Sequence, residues 1–240
     1  MFINIIRFIL NLFDFFYQKK IINFLKKNID LKNIVDVGGH AGETVEMFLK
    51  NFSLNNIFSF EPSQKNFKAL SFNILNFKKK YSSTKIALFN YGLGEKNCQT
   101  YINNTLESSS STINSINRKS KYYKKKLKYL MTSDELYVSK RELIEIKTLD
   151  SFIVSENINC IDLLKIDTEG YELKILSGVS KNFKIIKYIY FEHHFDLMIN
   201  KGYKLSDINK LLNENNFYKK YKLKMEFRKS FEYIYENAKK

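Results

Sequence analysis

Short apolar runs alternate with amphipathic stretches along most of this chain. Apolar runs of about four to eight residues are typical of buried strands, and apolar residues three or four positions apart are typical of helices. The run at 34–37, followed by helical periodicity from about Glu43 to Lys50, predicts a strand, a turn and a helix. The same order recurs from 56 to 77, where Pro62 and Ser63 begin the helix.

Further units follow the same pattern towards the C-terminus. TKIALFNYGLGE predicts a third strand closed by glycines, a fourth ends near Asp167 before a helix that ends at Gly178, and KIIKYIYFEHH predicts a fifth. Two strands joined by a polar turn end the chain. The pattern predicts an α/β fold, a Rossmann-like sandwich with a mostly parallel seven-stranded sheet and a C-terminal antiparallel hairpin.

Two segments depart from this alternation of predicted strands and helices. Residues 1–28 predict an amphipathic helix whose polar stripe includes Asn4, Arg7 and Gln18. We expect it to pack on the domain or on a second copy in a homodimer, and the alternative is a peripheral helix at the inner face of a membrane. Residues 29–240 form a single domain with an insertion at about 103–142, which lacks a strand pattern until about Leu143.

The insertion is polar and rich in lysine. It is interpreted as a solvated loop with a charged helix face, and the functional alternative is a mobile lid over a substrate. On the second interpretation, residues 108–129 are mobile without ligand and lie near the binding crevice.

Charge and cysteine content limit the partners and the compartment. The formal net charge of +15 suggests an anionic partner, but only four of the 40 basic residues are arginines. Arginine is the residue suited to bidentate recognition of phosphate, so its scarcity argues against a nucleic-acid partner. The two cysteines are too few for a disulfide framework, and we expect no cleavable signal because no small-residue cleavage site follows the apolar N-terminal stretch. These features indicate the cytoplasm.

Acidic residues occur at the ends of four predicted strands: Asp36, Glu61, Asp167 and Glu192. Ligands of open α/β sheets bind beyond the carboxyl ends of the strands, so these acids are expected along one crevice. The first loop has the form D-x-G-x-x-x-G, which departs from the dinucleotide fingerprint G-x-G-x-x-G. An acid on this strand suits a ligand with an ammonium and a sulfonium. Glu61, 25 residues on, can accept both hydroxyls of a ribose.

The motifs DVGGHAGE, FEPS, NYGLGE, SSSST, IKTLD, LLKIDTEGYE and FEHH resemble those of the FkbM-type methyltransferases in order and spacing, from about residue 33 to 195. The resemblance implies a class I methyltransferase fold, S-adenosylmethionine as the donor, and an acceptor hydroxyl on a sugar or another natural product. One departure is His40, where Asn is common. The cofactor-binding residues implied by these motifs are Asp36, Gly38, Gly39, His40, Gly42, Glu61 and Pro62.

Transfer of a methyl group to a hydroxyl requires a general base within hydrogen-bond reach of that oxygen. The candidates at the fourth and fifth strand ends are Asp167, Glu169, Glu192, His193 and His194. From these we select Asp167, Glu192 and His193 as catalytic residues facing the acceptor. A divalent cation held by Asp167, Glu169 and Glu192 is an alternative that we do not favour, and no metal site is assigned.

Two other functions stay open: an RNA methyltransferase, and a membrane-associated binding protein that kept the fold without the chemistry. Amino-methyltransferases that use an Asn/Asp-Pro-Pro-aromatic turn are excluded, because Pro62 is the only proline. We therefore expect a small-molecule or glycan acceptor.

Overall fold

A computed structural model describes residues 16–225 and 229–239 of the chain. Its helices, in chain order, are α1 (16–28), α2 (Glu43–Asn51), α3 (Gln64–Lys80), α4 (Lys121–Leu130), α5 (Asp134–Tyr137), α6 (Leu149–Ser155), α7 (Glu172–Ser177) and α8 (Leu205–Glu214). Its strands are β1 (Asn33–Val37), β2 (Asn56–Phe60), β3 (Lys85–Phe89), β4 (Gly92–Leu93), β5 (Cys98–Thr105), β6 (Val138–Lys147), β7 (Ile161–Ile166), β8 (Ile186–His194), β9 (Phe217–Met225) and β10 (Ser230–Asn237).

Seven of these strands form the main sheet, in the order β3-β2-β1-β7-β8-β10-β9. Every pairing in it is parallel except the two that β10 makes, with β8 and with β9. The predicted mostly parallel seven-stranded sheet with a C-terminal antiparallel hairpin is therefore confirmed. From β1 the chain adds strands towards one edge of the sheet, and from β7 it adds strands towards the other edge. The direction of strand addition therefore reverses between the neighbouring strands β1 and β7. Ligands of such sheets bind at the carboxyl ends of the strands at this switch point.

Apolar layers cover both faces of the sheet. On one face α1, α2 and α3 bury residues such as Leu25, Phe48 and Leu70 against the strands. On the other, α6, α7 and α8 contribute residues such as Phe152 and Ile208. All six residues of β7 are buried, as expected for a central parallel strand covered on both sides. Asp162 and Lys165 are the charged residues of this strand.

A second sheet has three strands in the order β4-β6-β5. The sequence predicted one third strand through Gly94, but that segment turns after β3 and β4 pairs with β6 instead. Gly92 makes this possible, because a Cβ there would lie 2.7 Å from Cδ1 of Ile146 on β6. A larger residue would require the Ile146 side chain to move.

The predicted insertion at 103–142 is shorter on both sides than its sequence suggested. β5 extends to Thr105 and β6 begins at Val138, whereas the first strand pattern was expected near Leu143. These two strands pair as a ribbon in which polar residues such as Asn103 and Arg141 face each other, so the apolar alternation is weak. Between them, α4 and α5 rest on a small cluster of Tyr123, Tyr137, Met198 and Ile199.

The N-terminal helix is described only from residue 16 onward. In this part, Ile21, Ile22 and Leu25 pack into the core of the sheet. Most of the predicted polar stripe, including Asn4 and Arg7, lies outside the described residues, as does the turn at 226–228. In the described ranges, none of the helices combines the length and apolar character needed to cross a bilayer.

Candidate functional site

A crevice of about 500 Å³ opens at the carboxyl ends of β1, β2 and β7. This volume is typical of sites for small molecules and cofactors. The insertion covers one side of it through Ser108, Ser109 and Thr112. The predicted site residues that line it are Gly38, Gly39, His40, Glu61, Pro62 and Asp167. Asp36, Gly42, Glu192 and His193 are not among its lining residues.

The loop after β1 forms the floor of the crevice. Gly38 has a φ of +91°, and a Cβ at this position would lie 1.9 Å from the carbonyl oxygen of Asp167. The amides of Gly38 and Gly39 both donate to the carbonyl of Phe60, at 2.9 Å. The loop is therefore held against the ends of both neighbouring strands, in a conformation that requires glycine.

Asp36 lies beneath this loop and is completely buried. Its Oδ2 accepts a hydrogen bond from Ser59 Oγ at 2.8 Å, and its Oδ1 lies 3.4 Å from Nζ of Lys165. The sequence placed Asp36 at the cofactor directly. In the structure it contacts the lysine that also pairs with Asp167, so it supports the crevice from below.

Glu61 follows β2 and is almost fully buried at the edge of the crevice. Its carboxylate accepts hydrogen bonds from the amides of His40, at 3.0 Å, and Ser63, at 2.9 Å. Burial raises the pKa of Glu61 to about 7, although these two amides oppose the shift. One carboxylate thus joins the loops that follow β1 and β2.

Glu142 of β6 reinforces this junction from the second sheet. Its carboxylate accepts from the amide of Gln64 at 2.8 Å, from Ser63 Oγ at 3.3 Å, and from Asn104 Nδ2 at 2.8 Å. It therefore caps the first turn of α3 from outside the helix. Sequence reasoning missed this residue, because no local pattern links residue 142 to residue 64.

His40 connects the first loop to the insertion. Its Nε2 lies 2.7 Å from Ser108 Oγ, and its Nδ1 lies 3.2 Å from Glu43 Oε1. The hydrogen bond to Glu43 raises the pKa of His40, and this outweighs the opposing effect of burial. The histidine that replaces the common Asn therefore brings the insertion onto the crevice.

Asp167 lies at the end of β7, where its Oδ2 is 3.3 Å from Nζ of Lys165. Burial alone would lower the pKa of Lys165, but the carboxylates of Asp167 and Asp36 outweigh it and hold the pKa above its ordinary value. The ammonium of Lys165 therefore stays charged and fixes both carboxylates. Asp167 is about 43% exposed and faces the crevice, as predicted.

Glu169 also lines the crevice, although it was considered in the sequence only among several possible bases. Its backbone is left-handed, with a φ of 51°, a conformation that is unusual for a non-glycine residue. Thr112 Oγ1 donates to its carbonyl at 2.8 Å and ties it to the insertion. Burial raises the pKa of Glu169 to about 7, against the opposing effect of His194. This carboxyl group can accept a proton near neutral pH.

The two histidines at the end of β8 face in different directions, because side chains alternate along a strand. His193 packs against Phe195 and lies 3.4 Å from Nζ of Lys201. Burial, with Lys201, lowers the pKa of His193 to about 3, so it stays neutral. The expectation that His193 faces the acceptor does not agree with this placement, because the alternation turns its ring away from the crevice.

His194 instead lies behind Glu169. Its Nε2 is 3.5 Å from both Glu169 Oε2 and Glu192 Oε1, and its Nδ1 is 3.4 Å from Asp196 Oδ2. Burial alone would lower the pKa of His194, but the surrounding carboxylates hold it well above the ordinary value. Residues 16–225 and 229–239 contain no group of three or more side chains placed to hold a metal ion, including the set Asp167, Glu169 and Glu192.

The sequence profile of the methyltransferase FkbM domain matches residues 36–219. Comparison with curated proteins finds no significant sequence match.

Solved structures with a similar fold include a methyltransferase FkbM from Methylobacillus flagellatus, with 16% identity and a TM-score of 0.53 over 86% of this chain. The chain spans 44% of the length of that protein. TrmK of M. capricolum, in complex with S-adenosyl-homocysteine, has 12% identity and a TM-score of 0.50, with 90% of this chain and 67% of that chain covered. An rRNA methylase from Streptococcus thermophilus has 10% identity and a TM-score of 0.50, with 90% and 93% covered. These likenesses confirm the class I methyltransferase fold.

Proposed function

Because this chain belongs to the FkbM methyltransferase family, we propose that it transfers the methyl group of S-adenosylmethionine to a hydroxyl of a sugar or another small molecule. The observation that carries this proposal is the pair of carboxyl groups on the crevice. Glu61 lies at the end of β2, and Glu169 follows β7 with a pKa of about 7. The first suits recognition of the donor, and the second suits a base for the acceptor.

The residues around the first loop fit the donor. Gly38 lines the crevice and lets the first loop pack against the carbonyl of Asp167, and Glu61 can accept the hydroxyls of a ribose. His40 and Pro62 line the same part of the crevice. We assign Asp36 and Gly42 to supporting roles, because Asp36 acts through Lys165 and Gly42 precedes α2 with a left-handed φ of +98°. TrmK of M. capricolum has S-adenosyl-homocysteine bound on a similar fold, which supports this donor.

When bound, S-adenosylmethionine supplies a methyl group on a positively charged sulfonium. The protein must then align the acceptor oxygen and remove its proton as the new bond forms. Glu169 serves as the base, and His194 holds its carboxylate from behind. Asp167, fixed by Lys165, lies beside it on the crevice and stabilises positive charge there. The insertion excludes water through Ser108 and Thr112.

RNA is the second candidate acceptor. The net charge of +15 and the similar fold of an rRNA methylase favour it. The low arginine content argues against RNA, since the chain carries four arginines among 40 basic residues and arginine is the residue suited to phosphate recognition.

The experiment that tests the proposal measures two quantities on the full chain. Calorimetry with S-adenosyl-homocysteine is expected to show binding, and absence of binding would contradict the methyltransferase assignment. Methyl transfer from radiolabelled donor is then compared between a saccharide panel and total RNA. We expect label in the saccharides. Label in RNA alone, with a rate of transfer that falls steeply as the salt concentration rises, would identify a nucleic acid and not a sugar as the methyl acceptor.

A further inference from the structure

A second, smaller cavity adjoins the crevice on the side of α1 and α2. It has a volume of about 140 Å³ and shares Gln18, Thr44 and Asp167 with the crevice. Its charged lining residues are Lys165, Asp167, Glu192 and Glu232. We call this cavity the acidic pocket.

Two glutamates in the acidic pocket lack hydrogen-bond partners for one carboxylate oxygen each. Glu192 on β8 and Glu232 on β10 are directly opposite in the strand register, and both are about 8% exposed. Within the described residues, Oε1 of Glu192 and Oε2 of Glu232 accept no hydrogen bond. Like charges facing each other across two strands repel, and buried polar atoms are nearly always satisfied. His194 Nε2 lies 3.5 Å from Oε1 of Glu192, so Oε2 of Glu232 is the pocket oxygen to which the described residues supply neither a hydrogen bond nor an ion pair.

The nearby cations are shared among several carboxylates. Nζ of Lys165 lies 3.4 Å from Asp36 and 3.3 Å from Asp167, and the imidazole of His194 is shared by Glu192, Glu169 and Asp196. Burial, together with repulsion from Glu192 and Asp167, raises the pKa of Glu232 well above its usual range. A cation bound beside Glu232 would favour its ionised form.

We propose that the acidic pocket receives a positively charged amino group of the methyl acceptor, so that the acceptor is an amine-bearing compound such as an amino sugar. The pocket is large enough for an ammonium group but not for a sugar ring, which would stay in the crevice beside Asp167. An ammonium has three donors, which can reach Oε2 of Glu232 and add to the contact that His194 makes with Glu192. The inference rests on the proposed function, because it names the substrate class of the same site.

The test uses the full chain saturated with S-adenosyl-homocysteine. Glucosamine, galactosamine and mannosamine are each compared with the corresponding neutral hexose by calorimetry near neutral pH. We expect at least one amino sugar to bind about tenfold or more tightly than its neutral counterpart. The variants Glu232→Gln and Glu192→Gln are expected to remove this preference. Glu214→Gln, the same change at an exposed position on α8, is expected to retain it.

Three results would overturn the inference. The first is that no amino sugar binds more tightly than its neutral counterpart. The second is that both pocket variants keep the preference. The third is that Glu232→Gln weakens S-adenosyl-homocysteine itself, which would assign the pocket to the amino group of the donor. Binding of S-adenosyl-homocysteine by the wild type, with transfer to a neutral sugar, would leave the proposed function intact while the inference fails.

Discussion

Glu61 is the residue whose replacement should act most directly on the donor. Glu61→Ala removes the acceptor for the amides of His40 and Ser63 and for the ribose hydroxyls. We expect the affinity for S-adenosyl-homocysteine to fall by about 1.5–3 kcal/mol, the range for a hydrogen bond to a charged group. Calorimetry measures this, with the exposed Glu214→Ala as the control. An unchanged dissociation constant would remove Glu61 from the donor site.

Glu169 should control turnover rather than donor binding. A base must be ionised to accept a proton, so at saturating donor the wild-type kcat is expected to rise with pH through about 7, the pKa of Glu169. Glu169→Gln should lower kcat by about 10²–10⁴-fold, remove this rise and leave affinity for S-adenosyl-homocysteine nearly unchanged. A pH profile of the variant that still rises through the same range would assign the proton transfer to another group.

Lys165 should contribute to stability because its loss leaves Asp36 and Asp167 without their cation. Breaking a buried ion pair from one side costs about 3–5 kcal/mol, so Lys165→Met is expected to lower the free energy of unfolding by that amount. Lys174→Met is the matched control, because Lys174 pairs with Glu95 at the surface and should cost about 0–1 kcal/mol. Urea denaturation gives both values. Equal losses would mean that the buried lysine has no special role.

The sequence identified Glu61 and Asp167, two acids that line the crevice, but not the orientation of each side chain. Asp36, Glu61, Asp167 and Glu192 stand at strand ends, and strand ends can be recognised from the apolar runs that precede them. Which face of β8 carries His193 depends on how that strand pairs with β10, and nothing local in FEHH indicates it. The left-handed backbone of Glu169 likewise arises from its tertiary surroundings, so its position on the crevice could not be read in advance.

At the scale of elements, the segment 108–129 connects the insertion to the crevice through polar contacts. His40 holds Ser108 at 2.7 Å, and Nζ of Lys126 lies 2.8 Å from both Glu107 and Ser110. Because the contacts of this segment at the crevice are polar and the apolar cluster under α4 is small, we expect low protection of 108–129 in hydrogen exchange without ligand, and higher protection with S-adenosyl-homocysteine. The buried amides of β7 serve as the protected reference. Strong protection without ligand would contradict a mobile lid.

Element boundaries were predictable where a helix or strand buries a regular apolar pattern. α2 and α3 lie close to their predicted ranges, since their apolar faces pack on the sheet. β4 has only two residues, and β5 and β6 carry polar pairs on a ribbon. Such strands are stabilised by pairing with distant segments rather than by their own pattern, so the second sheet could not be derived from the sequence.

At the scale of the whole molecule, alternation of strands and helices was enough to predict the main sheet. Crossovers between parallel strands are short and right-handed, which leaves few arrangements for five such units and a terminal hairpin. The observed switch between β1 and β7 then brings the acids of β2 and β7 to one crevice. The composition could not predict the charge of the ligand, because a net charge of +15 coexists with a buried acidic pocket.

The hydrogen bonds that Glu142 accepts from Ser63, Gln64 and Asn104 bear on the kinetics of the reaction. This residue ties the second sheet to the loop that carries Glu61, while His40 ties the insertion to the other donor loop. A bound donor that orders both loops would therefore complete the surface that the acceptor contacts. We expect a compulsory order of addition, with the donor first. In product-inhibition experiments, S-adenosyl-homocysteine should then be a competitive inhibitor with respect to S-adenosylmethionine and a noncompetitive inhibitor with respect to the acceptor. The variant Glu142→Gln should shift the mechanism towards random order of addition.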